Sequence, residues 1–270
     1  MRINDVNGVK FVTFDNLERT GLVRHCFTTR VGGVCTGPAE SLSFAEGPGC
    51  APSGVLENYR IIGAAAGFAV ENMVKTHQTH TANIRVTGPA DRGKGVLWPR
   101  GFADIDGLAA DAPGVILTTL HADCAALFFL DPVRKVIALA HAGWRGTLGG
   151  IARAAIDSMV SLGARPADIL AAIGPHIGDC CFEVGADVAR AFRDKGFGAS
   201  VRPAADTFND KFYVDLARVN CDIMMKTGIP PEHIEVCGLC TKCRPDLFFS
   251  HRYSGRERGE MAGFLELVGG

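Results

Sequence analysis

The sequence predicts an α/β fold in a single domain spanning residues 1–270, on three observations. Apolar runs typical of strands alternate with segments of helical periodicity along the chain. The chain has 270 residues, of which 47% are hydrophobic, which is enough to bury a large core. Its 33 glycines and 13 prolines are spread out, so composition marks no linker between two domains.

Each element is predicted from its own local pattern. The apolar runs that predict strands are Ala82–Val86, Val115–Leu120, Ala125–Leu130, Val136–Ala140 and Ile169–Ile173. The segments with helical periodicity are Thr147–Leu162, Val184–Lys195 and Leu216–Thr227. Thr147 is expected to cap the first helix, and Gly196 and Gly228 to end the other two. The loop from Gly88 to Gly107, rich in Gly, Pro and Asp, is the predicted excursion or lid.

Charge and hydropathy restrict the partners that we expect. The formal net charge is −1, with basic and acidic residues interspersed, so neither a nucleic acid nor an anionic membrane is predicted as a partner. No secretion signal is recognisable at the N-terminus, and no apolar run reaches the roughly 18 residues that span a bilayer. We therefore expect a cytoplasmic protein that acts on a small molecule, with the oligomeric state left open.

Ten cysteines are expected to be thiols or metal ligands in a reducing compartment rather than a disulfide framework. The segment Cys237–Cys243 reads C-G-L-C-T-K-C, a spacing that also suits zinc or part of an iron–sulfur cluster. No second cysteine pair follows it. Structural thiols are therefore the favoured interpretation, and metal binding and redox chemistry stay open.

The segment 121–146 predicts a site. Two apolar strands flank the polar turn D-P-V-R-K, which favours an antiparallel hairpin. Cys124 lies nine residues before Val133 and His141 eight residues after it, so the two are expected to be almost opposite each other at the open end. On one face of the hairpin their Cβ atoms would be about 5 Å apart, which suits two ligands of one metal.

A third ligand has to come from another segment. Residues 75–81 read K-T-H-Q-T-H-T and offer His77 or His80, between which the spacing does not decide. Three ligands of mixed nitrogen and sulfur character leave a fourth tetrahedral position for water or substrate, the pattern of a catalytic zinc. Such a zinc lowers the pKa of its water to about 7.

The same residues allow a site without metal. Cys124 would then be a thiolate nucleophile with His141 as its general base, oriented by Asp123 or Asp106. Sequence alone does not separate this hypothesis from metal binding.

A glycine-rich stretch after His141 reads A-G-W-R-G-T-L-G-G and leads into a helix. A helix N-terminus and Arg145 beside the proposed metal suit an anion such as phosphate. The structural alternative is a tight turn made by Gly143 and Gly146, with Trp144 packed in the core.

Two further positions carry open interpretations. His176, in I-G-P-H-I-G-D-C-C-F-E-V, either faces the site or caps a turn, and the turn is favoured. Arg30, in F-T-T-R-V-G-G-V-C, is either a surface cation or a ligand-binding one.

Several ordered strings resemble one family over about residues 27–267. They are T-R-V-G-G-V, H-Q-T-H before a strand, A-D-C followed by D-P and H-A-G-W-R-G, I-G-P-H-I-G-D-C-C-F-E-V-G, and a late C-T with F-F-S-H-R. On these motifs the chain resembles the multicopper polyphenol oxidoreductase, laccase-like family, also called YfiH-type.

The resemblance implies a four-layer α/β/β/α sandwich with mixed sheets and a zinc held by His80, Cys124 and His141. It also implies phosphorolysis of adenosine, inosine and methylthioadenosine, together with hydrolytic deamination of adenosine. The expected roles are an orienting or proton-exchanging Asp123, and Arg30 and Arg145 as contacts to anionic groups.

The sequence departs from the family pattern at two positions. After F-F-S it reads His251-Arg252-Tyr253-Ser254, with Arg256 and Arg258 displaced, so which arginine besides Arg252 faces substrate or phosphate stays open. The residue before A-D-C is His121, an additional imidazole near the proposed metal to which no role is given.

The family's name suggests an alternative, a copper oxidase acting on phenols. Two histidines and a cysteine partly fit a blue-copper site. A multicopper oxidase needs many more histidines, however, and the chain has eight scattered ones. Zinc is therefore the predicted metal, and copper is the less favoured one. A metal-stabilised module that binds nucleosides without catalysis is the third possibility.

Overall fold

Fifteen strands and seven α-helices make up the computed structural model within the residues it describes, 1–204 and 210–269. The strands are β1 Arg2–Val6, β2 Val9–Thr13, β3 Val23–Thr28, β4 Met73–Lys75, β5 Ile84–Val86, β6 Gly107–Ala110, β7 Ile116–His121, β8 Ala125–Asp131, β9 Val136–Ala142, β10 Leu170–Ile173, β11 Glu183–Gly185, β12 Val201–Pro203, β13 Lys211–Val214, β14 Ile234–Val236 and β15 Met261–Leu267. The helices are α1 Asp15–Glu18, α2 Pro52–Ala66, α3 Trp144–Leu148, α4 Ile151–Ser161, α5 Ala186–Asp194, α6 Leu216–Lys226 and α7 His251–Ser254.

The strands form two large sheets and one small sheet. The first has the order β1-β2-β3-β15-β7-β4 and the second β14-β10-β8-β9-β6-β5, and β11-β13-β12 form the small one. Each large sheet is mixed, because β4 runs parallel to β7 and β14 parallel to β10, whereas β8 and β9 are antiparallel. The predicted α/β class with mixed sheets is confirmed.

The core lies between the sheets and under the helices. One buried cluster combines side chains of both large sheets, among them Phe27 of β3 and Phe128 of β8. Helix α2 packs through Tyr59 with residues of the first sheet, and α4 packs through Met159 with residues of the second. These contacts are consistent with the implied four-layer order, which stays a prediction. None of the described helices is long and apolar enough to cross a membrane.

The predicted strands lie where the structure has them, with ends that differ by one or two residues. The predicted helix 147–162 is wrong in one respect, because the chain forms two helices there. Gly150 separates them with a φ of 85°, a left-handed conformation that glycine adopts without a steric cost. Thr147 is therefore no N-cap: it lies inside α3, where its hydroxyl accepts a hydrogen bond from Asn220 at 3.2 Å.

The expectation that every cysteine is a thiol or a metal ligand is corrected at one pair. Cys35 and Cys50 form a disulfide, with their Cα atoms 4.8 Å apart. Both lie in the buried cluster under α2, where the bond joins two turns of the segment before that helix. The other eight cysteines are free.

Candidate active site

The hairpin formed by β8 and β9 supplies two of the three predicted ligands. Ala126 pairs with His141, so continuing the register places Cys124, just before β8, opposite Gly143. Cys124 and His141 were predicted to lie almost opposite each other, and the register offsets them by two residues. They are diagonal neighbours on the same face instead, a relation that still allows side chains to meet.

The third ligand comes from the turn before β5. Nε2 of His80 lies 3.9 Å from Sγ of Cys124, and the candidate ligand atoms of His80, Cys124 and His141 all lie within 4.8 Å of one another. His77 is not in this group, because its Nδ1 accepts a hydrogen bond from the backbone N–H of Asp104 at 3.2 Å. The geometry thus selects His80, the histidine that the resemblance implied.

Gln78 anchors the turn that carries His80. Its amide pairs with the backbone of Leu120 at the end of β7, donating from Nε2 to the carbonyl at 2.6 Å and accepting at Oε1 from the N–H at 2.7 Å. His80 itself has a φ of 64°, an uncommon conformation outside glycine. Gln78 therefore fixes the turn two residues before this uncommon conformation.

Asp106 connects the turn that carries His80 with the ligand His141. Its fully buried carboxylate accepts hydrogen bonds from the backbone N–H groups of Thr79, His80 and Thr81, at 2.8–3.0 Å. It also accepts from the Thr81 hydroxyl at 2.8 Å and from Nδ1 of His141 at 2.9 Å. A metal-binding histidine commonly donates its other ring N–H to a carboxylate in this way, so Nε2 of His141 is free to bind.

Gly143 shows that the space around the three ligands is closely fitted. A Cβ at this position would lie 2.8 Å from Cδ2 of His80 and 3.0 Å from Sγ of Cys124. The backbone between β9 and α3 therefore approaches both ligands as closely as only glycine permits. This cradle, the donor set and the buried carboxylate together fit a metal ion held by three protein ligands.

The electrostatics favour a thiolate at Cys124. Burial by itself would raise the pKa of the thiol, but the charge and hydrogen bond of His141 and those of His80 lower it to about 6. The pKa of His141 is raised despite burial, because the Cys124 thiolate and the Asp106 carboxylate stabilise its protonated form. A thiolate at neutral pH is the form that binds a metal.

His121 lies close to the three ligands but is occupied otherwise. Its Nε2 hydrogen-bonds the hydroxyl of Thr119 at 2.8 Å and its Nδ1 bonds the carbonyl of Cys124 at 3.1 Å. Burial lowers the pKa of this imidazole, so it is neutral and structural. His176 is also buried, bonding the carbonyl of Gly174 at 2.8 Å, which agrees with the predicted turn.

A cationic cavity of about 260 Å³ opens on one side of the three ligands. Its basic residues are Lys75, Arg100 and Arg258, and it also contains His77 and Glu260. The Nε atoms of Arg100 and Arg258 are buried and have no hydrogen-bond partner among the described residues. The three basic side chains that line the cavity suit an anionic ligand.

A second, more apolar cavity of about 360 Å³ opens on the other side. Its walls include the side chains of Trp144, Phe182 and Leu216, with Arg145 and Arg252 at its edge. Trp144 is partly buried: it packs against the buried cluster that includes Phe182 and Leu216 and also lines this cavity, so the structural alternative holds only in part. The Arg145 guanidinium stacks on its ring at 4.2 Å.

The other predicted residues differ in how they relate to this site. Asp123 lines the apolar cavity, but its carboxylate accepts hydrogen bonds from the Thr241 hydroxyl at 2.6 Å and the Arg252 backbone N–H at 2.7 Å. Arg30 does not line either cavity as described. Its guanidinium donates to the carbonyl of Pro245 at 3.1 Å and lies over a phenylalanine ring, so its predicted anion contact stays a prediction.

Sequence reasoning missed the residues of the cationic cavity. Lys75 precedes the H-Q-T-H motif, Arg100 lies in the predicted lid loop, and Arg258 is one of the two displaced arginines. Arg258 contributes to both cavities, and its displacement along the chain was the one available signal.

The fold and the site together define an α/β protein with an open His-Cys-His centre between two cavities. The chain belongs to the multi-copper polyphenol oxidoreductase laccase family, whose model matches residues 24–268. It is similar to the purine nucleoside phosphorylase YlmD of Geobacillus stearothermophilus, with 36% identity over 248 residues covering 90% of this chain and 88% of that protein.

Two further likenesses extend this comparison. An adenosine deaminase from an unknown prokaryotic organism is 30% identical over 206 residues, covering 76% of this chain and 79% of that protein. The crystal structure of the Bacillus licheniformis hypothetical protein YfiH superposes with a TM-score of 0.89 at 31% identity, covering 98% of both chains.

Proposed function

We propose that the protein is a zinc-dependent purine nucleoside phosphorylase acting on adenosine, inosine and methylthioadenosine, which also deaminates adenosine. One observation carries the proposal: the His80–Cys124–His141 set lies where the cationic cavity meets the more apolar cavity lined by Trp144 and Phe182, called the aromatic cavity from here on. The names of the relatives supply the substrate class.

Zinc is the proposed ion at His80, Cys124 and His141, since two imidazoles and a thiolate suit it and leave an open position. When bound, zinc would supply Lewis-acid activation of water or substrate. A multicopper oxidase is not supported, because the described residues form two candidate metal-binding groups, and only one of them contains histidine.

The aromatic cavity is proposed to hold the nucleoside. Trp144 and Phe182 offer apolar surfaces on which a purine ring can stack. Arg145 and Arg252 lie at the edge of the same cavity and are proposed to donate to the nucleoside's polar groups or to phosphate. Asp123, with its two hydrogen bonds, is proposed to orient the segments that form this wall.

The cationic cavity is proposed to hold phosphate. Lys75, Arg100 and Arg258 line it with three positive charges, of which Arg258 pairs with Glu260 of the same cavity at 3.3 Å. In phosphorolysis a phosphate oxygen forms a bond to C1′ of the ribose while the bond from C1′ to the purine nitrogen breaks. The products are the free base, which takes up a proton, and ribose 1-phosphate.

The test is incubation of the purified protein with adenosine, with and without phosphate. Adenine and ribose 1-phosphate should form only when phosphate is present, whereas inosine and ammonia should form without it. Chromatography of the bases separates the two reactions.

Cys124→Ser should abolish both reactions, while Cys221→Ser, a partly buried cysteine of α6 outside the site, should retain them. No turnover of any purine nucleoside by the metal-loaded protein would refute the proposal. Oxygen uptake with a diphenol by zinc-loaded, copper-free protein would do so equally.

A further inference from the structure

Four cysteine thiols converge at a second place, outside the centre described above. The sulfur atoms of Cys180, Cys181, Cys240 and Cys243 all lie within 4.8 Å of one another. Sγ of Cys243 is 3.4 Å from that of Cys181 and 3.7 Å from that of Cys180. We call this group the four-cysteine cluster.

The spacing of the sulfurs matches one tetrahedral ion. Four thiolates about 2.3 Å from a zinc ion lie about 3.8 Å from one another. A disulfide would join only two of the sulfurs, at about 2.05 Å, and leave the other two without a role. An iron–sulfur cluster distributes its thiolates over several irons, which requires wider separations than 4.8 Å.

We propose that the four-cysteine cluster is a closed structural zinc site, separate from the centre at His80, Cys124 and His141. Four protein ligands complete a tetrahedron and leave no position for substrate, the arrangement typical of zinc that stabilises a fold. The site rests on no part of the proposed nucleoside chemistry.

Gly178 contacts two of the four cysteines. The backbone N–H of Gly178 donates to Sγ of Cys240 at 3.3 Å, a hydrogen bond that stabilises negative charge on sulfur. A Cβ on Gly178 would lie 3.2 Å from Sγ of Cys180 and 3.3 Å from Cβ of Cys240. Glycine at this position thus lets the two segments approach closely enough to share one ion.

The zinc would brace a wall of the aromatic cavity. It joins the turn before β11 to the loop after β14, segments linked otherwise by a bridge between His176 and Cys240. The first segment carries Phe182, which lines that cavity. The second carries Thr241, whose hydroxyl donates to Asp123 at 2.6 Å, next to the ligand Cys124. A purely structural ion would therefore support the two segments that position Phe182 and Asp123 in this wall.

The first test measures zinc per chain by mass spectrometry of the metal. Fully loaded wild-type protein should hold about two zinc ions, and the double variant Cys180→Ser/Cys243→Ser about one. The matched control is Cys237→Ala, because Cys237 belongs to the same C-G-L-C-T-K-C string but is buried in the core outside the cluster. It should keep the wild-type content.

A second measurement does not depend on the double variant folding. Cys124→Ser leaves the four cysteines intact, so its remaining zinc should show four sulfur ligands at about 2.3 Å by X-ray absorption. Nitrogen or oxygen ligands on that zinc, or no zinc at all, would overturn the proposal. So would unchanged zinc in the double variant, or a disulfide among the four cysteines of protein purified under reducing conditions.

Failure here and failure of the proposed function give different results. If the wild type and Cys124→Ser each hold one zinc with four sulfur ligands, the structural site stands and zinc at the active centre is refuted. If Cys124→Ser holds no zinc while the zinc-loaded wild type turns over adenosine, the structural zinc site is refuted and the proposed function stands.

Discussion

At the scale of single residues, Asp106 connects parts of the site that are far apart in the chain. One buried carboxylate fixes three consecutive N–H groups of the His80 turn and orients His141 on β9. These bonds hold the pKa of Asp106 at about 2 although burial alone would raise it. Asp106 therefore stays negatively charged at neutral pH, beside the ligand His141.

We expect Asp106→Asn to lower zinc affinity at the active centre by about 10- to 100-fold, the usual effect of losing a carboxylate behind a histidine ligand. In the variant, the side-chain NH2 group of the introduced asparagine would face N–H donors that in the wild type donate to a carboxylate oxygen. Competition with a fluorescent chelator measures the affinity. Asp104→Asn is the control, because this residue is exposed and its carboxylate contacts the Thr79 hydroxyl at 3.0 Å and His77 at 4.0 Å, neither of which is one of the three ligands. Equal affinities for the two variants would contradict the assigned role of Asp106.

The lowered pKa of Cys124 predicts how fast this thiol is alkylated in metal-free protein at different pH values. Because the thiolate is the reactive form, alkylation of Cys124 should speed up as pH rises through about 6 and level off above it. Peptide mapping by mass spectrometry follows each cysteine individually. Cys221, whose pKa burial raises to about 11, serves as the slow comparison in the same sample. A midpoint for Cys124 near 8.5, the ordinary value for a thiol, would contradict the electrostatics of the site.

At the scale of elements, the β8–β9 hairpin determines where two of the three ligands lie. Its turn is closed by Asp131, which is fully buried and accepts hydrogen bonds from the N–H groups of Val133 and Arg134, both at 2.9 Å. The same carboxylate accepts from the N–H of Arg165 at 2.8 Å. The register of the hairpin, and with it the diagonal relation of Cys124 and His141, follows from this turn.

Asp131→Ala should destabilise the protein by about 2–3 kcal/mol, since three backbone donors lose the fully buried carboxylate that accepts from them. Urea unfolding at neutral pH measures the change. Val133→Ala in the same turn is the control: the side chain is 60% exposed, so its loss should change stability by less than about 0.5 kcal/mol. Similar losses in both variants would mean that the carboxylate does not close the turn.

At the scale of the whole molecule, the candidate active site lies where loops at the ends of both large sheets meet. Leu120 of β7 in the first sheet anchors the His80 turn, while β8 and β9 of the second sheet carry or adjoin the other two ligands. The two cavities open on either side of this junction. The packing of one sheet against the other thereby sets the distance between the proposed phosphate and nucleoside sites.

Arg100→Ala tests this division of the site. We expect the KM for phosphate to rise at least about tenfold, the effect of losing a charged hydrogen bond, while phosphate-independent deamination is unchanged. Arg153→Ala is the control, because this arginine of α4 is 71% exposed and pairs only with Asp157 on the same helix. Steady-state rates at varied phosphate provide the measurement. Equal loss of both reactions would show that Arg100 does not act on phosphate alone.

Much of the fold was predictable because its strands and helices follow local patterns. The runs that became β7, β8, β9 and β10 are apolar and short, and the hairpin turn is marked by D-P. The division of the helix at Gly150 was missed because one glycine within a periodic segment is also tolerated inside a helix. The disulfide of Cys35 was missed because reducing conditions argue against such bonds in general.

The sequence by itself determined the α/β class, the hairpin and the chemical types of the ligands, since these depend on residues near one another in the chain. The tertiary structure decided which of two neighbouring histidines meets Cys124, because Asp106 and Gln78 reach the turn from other strands. It likewise brought the adjacent pair Cys180–Cys181 to the C-x-x-C-x-x-C string, some 60 residues further on, and excluded Cys237 from the group. Contacts between distant segments depend on how sheets and loops pack, and no local pattern records that packing.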